Sequence, residues 1–144
     1  MRAWLLVVLL SLAAGSHVRA DESPLSEAER NALTDNYDQP PRLKKQTKPR
    51  YPLSAFQRKV EGAVEVELVV DEKGRVREAY VIKPKEPPKE WVQYAADDLY
   101  ESAVACVREW TFEPATKDGK PVATLARAPV SFRITDKKPP TSRP

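Results

Sequence analysis

The stretch AVEVELVVDEKG at residues 63–74 predicts the centre of the fold. Apolar residues alternate with mainly charged ones over 63–70, and this period of two is typical of a strand with one buried face. The turn sequence DEKG follows, in which Gly74 is free to adopt a positive φ. We therefore predict a strand over 63–70 that opens a hairpin. Its core face is formed by Val64, Val66, Leu68 and Val70.

The segments after this turn add a second strand and a helix. The second strand is predicted over 75–83, where a slip in the apolar phase indicates a bulge near Arg77-Glu78. A charged loop with three prolines then leads to a helix with one apolar stripe. Asp98 with Glu101 fits a capping pair, so we expect the helix to begin close to these residues.

A third strand is predicted over 122–134, after a turn at 117–120. The first strand runs up, the second runs down, and the helix carries the chain back up, so the third strand runs down. In an antiparallel sheet it must therefore lie beside the first strand. Pro129 lacks a ladder donor, which also favours an edge position with its nitrogen pointing outward. The predicted class is α+β, a small three-stranded antiparallel sheet in the order second–first–third with a helix on one face (ββαβ).

The N-terminal residues 1–20 are predicted to be a signal peptide that is cleaved after Ala20. They combine a basic start, a short apolar run and small residues before the cleavage point. The alternative is an uncleaved anchor in the inner membrane. The apolar run has about twelve residues, whereas a spanning helix needs about 20.

The patterned region, 49–135, is predicted to be the folded domain between two disordered segments. Residues 21–48 change from acidic to basic and are predicted to be a disordered linker. Ser26 with Glu29 fits the cap of a short helix within it, over 27–33. The proline-rich tail, 136–144, is also predicted to be disordered.

The composition excludes several classes of function. The single histidine, His17, lies in the leader, so histidine-dependent nucleophile pairs and the common zinc sites are not expected in the mature chain. The single cysteine allows no internal disulfide. Without Arg2 and Arg19 of the leader, the 24 basic residues become 22 against 21 acidic ones, which does not support nucleic-acid binding.

The residues that remain as candidates for catalysis favour structural roles. Asp97, Asp98 and Glu101 suit general acid and base chemistry, but we interpret them as residues that cap the helix. Cys106 lies on the apolar stripe and is interpreted as a small buried side chain. We therefore expect no catalysis, no cofactor and no metal site.

The predicted edge strand is the remaining candidate for a functional surface. An extended peptide can add a strand to such an edge through backbone hydrogen bonds. Arg127, Pro129 and Arg133 are also the usual means of protecting an edge from unwanted pairing. The two interpretations are compatible, because Pro129 removes only one donor.

Six short sequences occur here in an order and spacing that resemble one known family. They are RYPLSA at 50–55, GAVEV at 62–66, DEKGRV at 71–76, VREWTFEP at 107–114, GKPV at 119–122 and VSF at 130–132. Together they closely resemble the C-terminal domain of TonB, a periplasmic energy-transducing protein. The resemblance covers about residues 49–135.

The resemblance implies a periplasmic domain that binds the TonB box, a short segment of outer-membrane receptors for iron chelates (siderophores) and cobalamin. It implies that the box pairs along the last strand of the domain, close to the Tyr-Pro motif. It implies no small-molecule substrate. The positions that match the binding regions are Arg50, Tyr51, Pro52, Thr124, Leu125, Ala126, Arg127, Ala128, Val130 and Ser131.

Three features depart from a full TonB. The leader has the pattern of a cleavable one, only residues 21–48 stand in place of a long proline-rich spacer, and Pro129 lies in the strand that would receive the box. We therefore expect a freestanding TonB-like module that binds a TonB-dependent receptor or another envelope protein. The alternative is an envelope adaptor that self-associates, as a homodimer, through the same edge.

Overall fold

The structure, a computed structural model, describes residues 25–34 and 36–134. In this part of the chain the helices are α1 (Glu27–Thr34), α2 (Leu53–Gln57) and α3 (Gln93–Arg108). The strands are β1 (Arg42–Lys45), β2 (Gly62–Val70), β3 (Val76–Ile82), β4 (Thr111–Glu113), β5 (Ala115–Lys117), β6 (Lys120–Val122) and β7 (Thr124–Phe132).

The central sheet has the predicted order, with β2 between β3 and β7 and both pairings antiparallel. The predicted bulge is also present. Val69 pairs with Glu78 whereas Val70 pairs with Val76, so Arg77 is the extra residue on β3. The α+β class and the ββαβ order are therefore confirmed.

Helix α3 packs on one face of this sheet and closes the core. Its predicted apolar stripe is buried, and the thiol of Cys106 is buried within it. The stripe consists of Leu99, Ala103, Cys106 and Val107, and the buried Trp110 continues it just beyond the end of the helix. The sheet meets it with Val64, Val66, Leu68, Val70, Val130 and Phe132. Burial of each large apolar side chain contributes roughly 1.5–3 kcal/mol to stability.

The start of α3 differs from the prediction. The helix begins at Gln93 with Val92 at its N-cap position, and no side chain caps it. Asp98 and Glu101 therefore lie inside the helix, and their interpretation as a capping pair is wrong. Asp98 instead accepts a hydrogen bond from the hydroxyl of Ser54 on α2.

The last predicted strand is divided in the structure. Residues 120–122 form β6 and pair with β5 in a separate hairpin, so β7 begins only at Thr124. The predicted turn at 117–120 is confirmed. Asp118 and Gly119 have φ of 52° and 74°, the positive values that a tight two-residue hairpin turn favours.

The prediction of a disordered linker over 21–48 is wrong for the residues that form α1 and β1. The predicted cap of α1 is confirmed: the Glu29 carboxylate accepts from the backbone N–H and the hydroxyl of Ser26 at 2.9 and 2.7 Å. Between these elements, Gln39 exchanges backbone hydrogen bonds with Thr116 of β5, and β1 then pairs with β4. The predicted leader, 1–20, and tail, 136–144, lie outside the described residues.

Candidate partner-binding edge

Strand β7 forms one edge of the central sheet. All nine of its residues pair with β2 in an unbroken register that passes through Pro129 opposite Glu65. Along its other side, no strand pairs with it in the described part of the chain. An edge of this kind presents backbone N–H and C=O groups that an added strand can pair with.

The predicted binding residues of β7 alternate between the two faces of the sheet. On the face towards α3, Val130 is buried, and Ala126 and Ala128 pack against the core. Thr124, the first residue of β7, is also buried, but its hydroxyl contacts α1. On the opposite face, which we call the outer face, Leu125 is half-buried, and Arg127 and Ser131 are exposed. Successive residues of β7 therefore face the core and the outer face in turn.

Tyr51 connects the Tyr-Pro motif to the end of β7. Its hydroxyl donates a hydrogen bond to the carbonyl oxygen of Val60. Its ring meets the ring of Phe56 edge to face at 5.9 Å, and that of Phe132 at 5.7 Å. Burial, and secondarily the negative charge of Glu61, raise the pKa of the Tyr51 hydroxyl. The hydroxyl thus remains a donor at neutral pH.

Arg50 and Pro52 have contacts away from β7. The backbone carbonyl of Arg50 accepts from the hydroxyl of Ser102 on α3, and the carbonyl of Pro52 accepts from the N–H of Phe56 at 2.9 Å. Both residues line a cleft of about 560 Å³ between this segment and α3, together with Glu101. The structure therefore joins Tyr51, rather than its two neighbours, to the end of the edge strand.

A buried carboxylate on the outer face was missed in the sequence. Glu67 of β2 has a side chain that is 3% exposed, and its Oε1 accepts from Arg30 Nη1 of α1 at 2.6 Å. Arg127 Nε of β7 lies 3.4 Å from the same oxygen. The alternation of apolar and charged residues over 63–70 predicts that the Glu67 side chain is exposed to solvent. The unbroken run of apolar residues that follows it, Leu68, Val69 and Val70, is the one available sign that this end of the strand is covered on both faces.

The cover on the outer face is α1. It packs against β7, and the hydroxyl of Thr124 donates to the carbonyl oxygen of Leu33 at 3.0 Å. That carbonyl belongs to the last turn of the helix, where such groups lack a partner within the helix. In the described residues, no helix is long and apolar enough to cross a membrane.

Comparisons with known proteins relate the chain to one family. Residues 47–134 match the family described as Gram-negative bacterial TonB protein C-terminal. The chain is 29% identical over 97 residues to Protein TonB of Vibrio cholerae serotype O1; the match covers 67% of this chain but 36% of that relative. The solution NMR structure of the Pseudomonas aeruginosa TonB CTD is also similar, with a TM-score of 0.47 and 25% identity over 70% of this chain and 93% of that one. The family match spans more than half of the chain, which therefore belongs to the family of Gram-negative bacterial TonB C-terminal domains.

Proposed function

We propose that this protein is a periplasmic interaction module that binds an extended segment of a TonB-dependent outer-membrane receptor, or of another component of the TonB system. The segment adds a strand along the edge of β7 that does not face β2. The protein thereby supports or modulates transport across the outer membrane, with receptors for siderophores as the expected partners. The family match supports the link to the TonB system.

The observation that carries this proposal is the edge of β7. A nine-residue strand with a regular register provides a regular row of backbone groups for a partner. Pro129 removes one possible donor from that row. Alternate residues of the added strand would face the two sides of the sheet, so the side chains there give selectivity in addition to the backbone pairing.

Charge at the edge favours a partner segment with acidic residues. Arg127 and Arg133 are exposed at and just beyond β7. Positive side chains beside a binding edge raise the association rate of an acidic segment and disfavour a basic one. Tyr51 and Phe132 provide an aromatic contact at the end of the same strand.

The family match supports a location in the periplasm, and the predicted leader indicates export. Cleavage after Ala20 would release the protein into the periplasm, whereas an uncleaved leader would hold it at the inner membrane. N-terminal sequencing of the protein recovered from the envelope separates these cases. A start at Asp21 supports the released form, and a start at Met1 supports the anchored one.

Calorimetric titration with a synthetic TonB-box peptide tests the proposal. We expect saturable binding to the protein that begins at Asp21. The matched control is the same peptide methylated at every second backbone nitrogen, tested in both alternate sets, because one of the two sets contains the donors that a ladder with β7 requires. Binding that survives in both sets would exclude strand addition, and the absence of binding to peptides from several receptors would exclude the receptor as partner.

The open edge of β7 also favours one alternative, self-association through the same strand. A homodimer formed in this way would be an envelope adaptor that does not need a receptor. Light scattering over a range of protein concentrations distinguishes the two. A mass that doubles with concentration, and that falls again when the peptide is added, would show that both use one edge.

A further inference from the structure

The outer face of the sheet is not equally accessible along β7. Helix α1 lies over its first half. There Arg30 of the helix donates to the Glu67 carboxylate, and the hydroxyl of Thr124 donates to the carbonyl oxygen of Leu33. Leu125 of the first half is half-buried, whereas Pro129 and Ser131 of the second half are exposed. Arg127, between them, is exposed, but its Nε lies 3.4 Å from the Glu67 carboxylate that holds the helix. A strand added to β7 would therefore meet two different surroundings.

The attachment of α1 is stronger than a surface contact. The carboxylate of Glu67 is buried, and a buried charge is costly unless it is paired. Its nearest described partner, at 2.6 Å, is Arg30 of α1, whereas Arg127 lies at 3.4 Å. Removal of α1 would leave this carboxylate, among the described residues, with the longer contact alone, so the fold favours the docked helix.

The width of a helix makes α1 extend beyond the edge strand. An α-helix with its side chains is about 10–12 Å wide, whereas neighbouring strands lie about 4.8 Å apart. Since α1 packs against the edge strand itself, part of it overhangs the position that an added strand would occupy. Side chains of that strand that point to the outer face opposite Leu125 and Arg127 would meet the helix.

We propose that docked α1 sets the end of the strand-addition site, so that a partner segment pairs with residues 128–132 and not with 124–127. This inference rests on the proposed function and deepens it. The pair Arg30–Glu67 acts as a positioning contact that determines the register of the partner. Undocking of α1 would lengthen the site to the whole of β7.

Amide NMR on the protein that begins at Asp21, titrated with a nine-residue synthetic TonB-box peptide, tests this inference. In the wild type we expect shifts at Ala128, Val130 and Phe132, and none above the noise at Leu125 and Arg127. The same peptide contains enough residues to pair with all of β7, so its length does not limit the result.

The Arg30→Ala variant removes the positioning contact and should change the pattern. We expect the shifts to extend to Leu125 and Arg127, and the peptide to bind about fivefold more tightly because at least one further backbone hydrogen bond becomes available. Asn31→Ala is the matched control, since Asn31 is an exposed neighbour on the same helix. It should behave as the wild type.

A second variant, Glu67→Gln, tests the same contact in case Arg30→Ala does not fold. It weakens the same contact without leaving a charged carboxylate in the sheet, and it should extend the shifts in the same way. Shifts over all of 124–132 in the wild type, or an unchanged pattern in both variants, would overturn the inference.

A soluble paramagnetic probe makes the result independent of the peptide. With α1 docked, the probe should broaden the amides of Val130 and Ser131 more than those of Leu125 and Arg127, and Arg30→Ala should remove this difference. If the peptide fails to bind while the difference is present, the proposed function fails but the cover by α1 is upheld. If the probe finds no difference in the wild type, the inference itself is overturned.

Discussion

The rings of Tyr51 and Phe132 meet edge to face, with centroids 5.7 Å apart and planes at 83°. This contact joins a segment that precedes the sheet to the last residue of β7. Aromatic pairs in this geometry contribute about 0.5–1.5 kcal/mol beyond their buried area. The end of the edge strand is therefore held by a residue of the Tyr-Pro motif, which gives that motif a structural role beside its proposed binding role.

Two substitutions at Tyr51 separate the hydroxyl from the ring. Tyr51→Phe removes only the hydrogen bond to the Val60 carbonyl, and should lower the free energy of unfolding by about 1 kcal/mol. Tyr51→Ala also removes the contacts with Phe56 and Phe132, and should lower it by roughly 2–4 kcal/mol. Urea unfolding measures both. Tyr94→Phe is the control, because Tyr94 is exposed and its change should stay within about 0.5 kcal/mol. Equal losses in Tyr51→Phe and Tyr94→Phe would contradict this account.

Gly74 and Gly119 provide a matched pair that isolates steric crowding from backbone conformation. Both have a positive φ, 78° and 74°. A Cβ at Gly74 would lie 1.9 Å from the carbonyl oxygen of Phe112, whereas a Cβ at Gly119 meets nothing within 4 Å. Gly119→Ala should therefore cost about 1 kcal/mol, and Gly74→Ala roughly 3 kcal/mol or more. Thermal unfolding of the two variants checks this order, which a similar midpoint for both would refute.

Asp71 should make part of the stability depend on pH. Desolvation raises the pKa of its carboxyl, but hydrogen bonds from the backbone N–H groups of Arg75 and Lys73, together with the Arg75 charge, outweigh it and lower that pKa. A lowered pKa stabilises the fold above the unfolded value of about 3.9, and this stabilisation disappears as the pH falls through the folded value.

The variant Asp71→Asn keeps an acceptor oxygen and removes the titration. The difference in unfolding free energy between wild type and variant should be largest above about pH 4 and should shrink as the pH falls further. Urea unfolding at several pH values measures it. A difference that stays constant or grows towards low pH would show that Asp71 is not stabilised in its charged form.

Substitution of Pro129 tests whether its backbone nitrogen points to the unpaired edge of β7 or towards β2. If its nitrogen points away from β2, Pro129→Ala adds one backbone donor to the unpaired edge of β7 and should strengthen TonB-box peptide binding about fivefold. It should also lower stability by about 0.4–1 kcal/mol, because the unfolded chain gains freedom. Ser131→Ala is the control, since it changes a side chain on the same face and no backbone group. A stabilised variant with unchanged affinity would mean that the nitrogen faces Glu65 of β2.

The alternating pattern of β2 was sufficient to predict the central sheet. Its period of two identified the core face, and the direction of the chain then required β7 beside it, as observed. Pro129 supported the edge position independently. The bulge was readable as well, because Arg77 shifts the apolar phase of β3.

The parts that were not predicted lack a local signal. Strands β4, β5 and β6 have three residues each, too few for a period to be recognised. Helix α3 begins at Gln93 and its N-cap residue, Val92, has no capping side chain, so the sequence carries no local signal for its start. The docking of α1 depends on a contact between Arg30 and Glu67, which are 37 residues apart, and no local pattern reports such a pairing.

Disulfide scanning tests strand addition at β7 most directly. In a Cys106→Ala background, Ser131→Cys places one accessible thiol on the outer face of the edge strand. It would be mixed with a series of TonB-box peptides that carry one cysteine at successive positions. Glu113→Cys, an exposed position on β4, is the control. Because a disulfide requires Cβ atoms about 3.8 Å apart, an added strand should cross-link only at alternate peptide positions, and only to residue 131. Cross-links at consecutive positions, or equally to residue 113, would contradict strand addition.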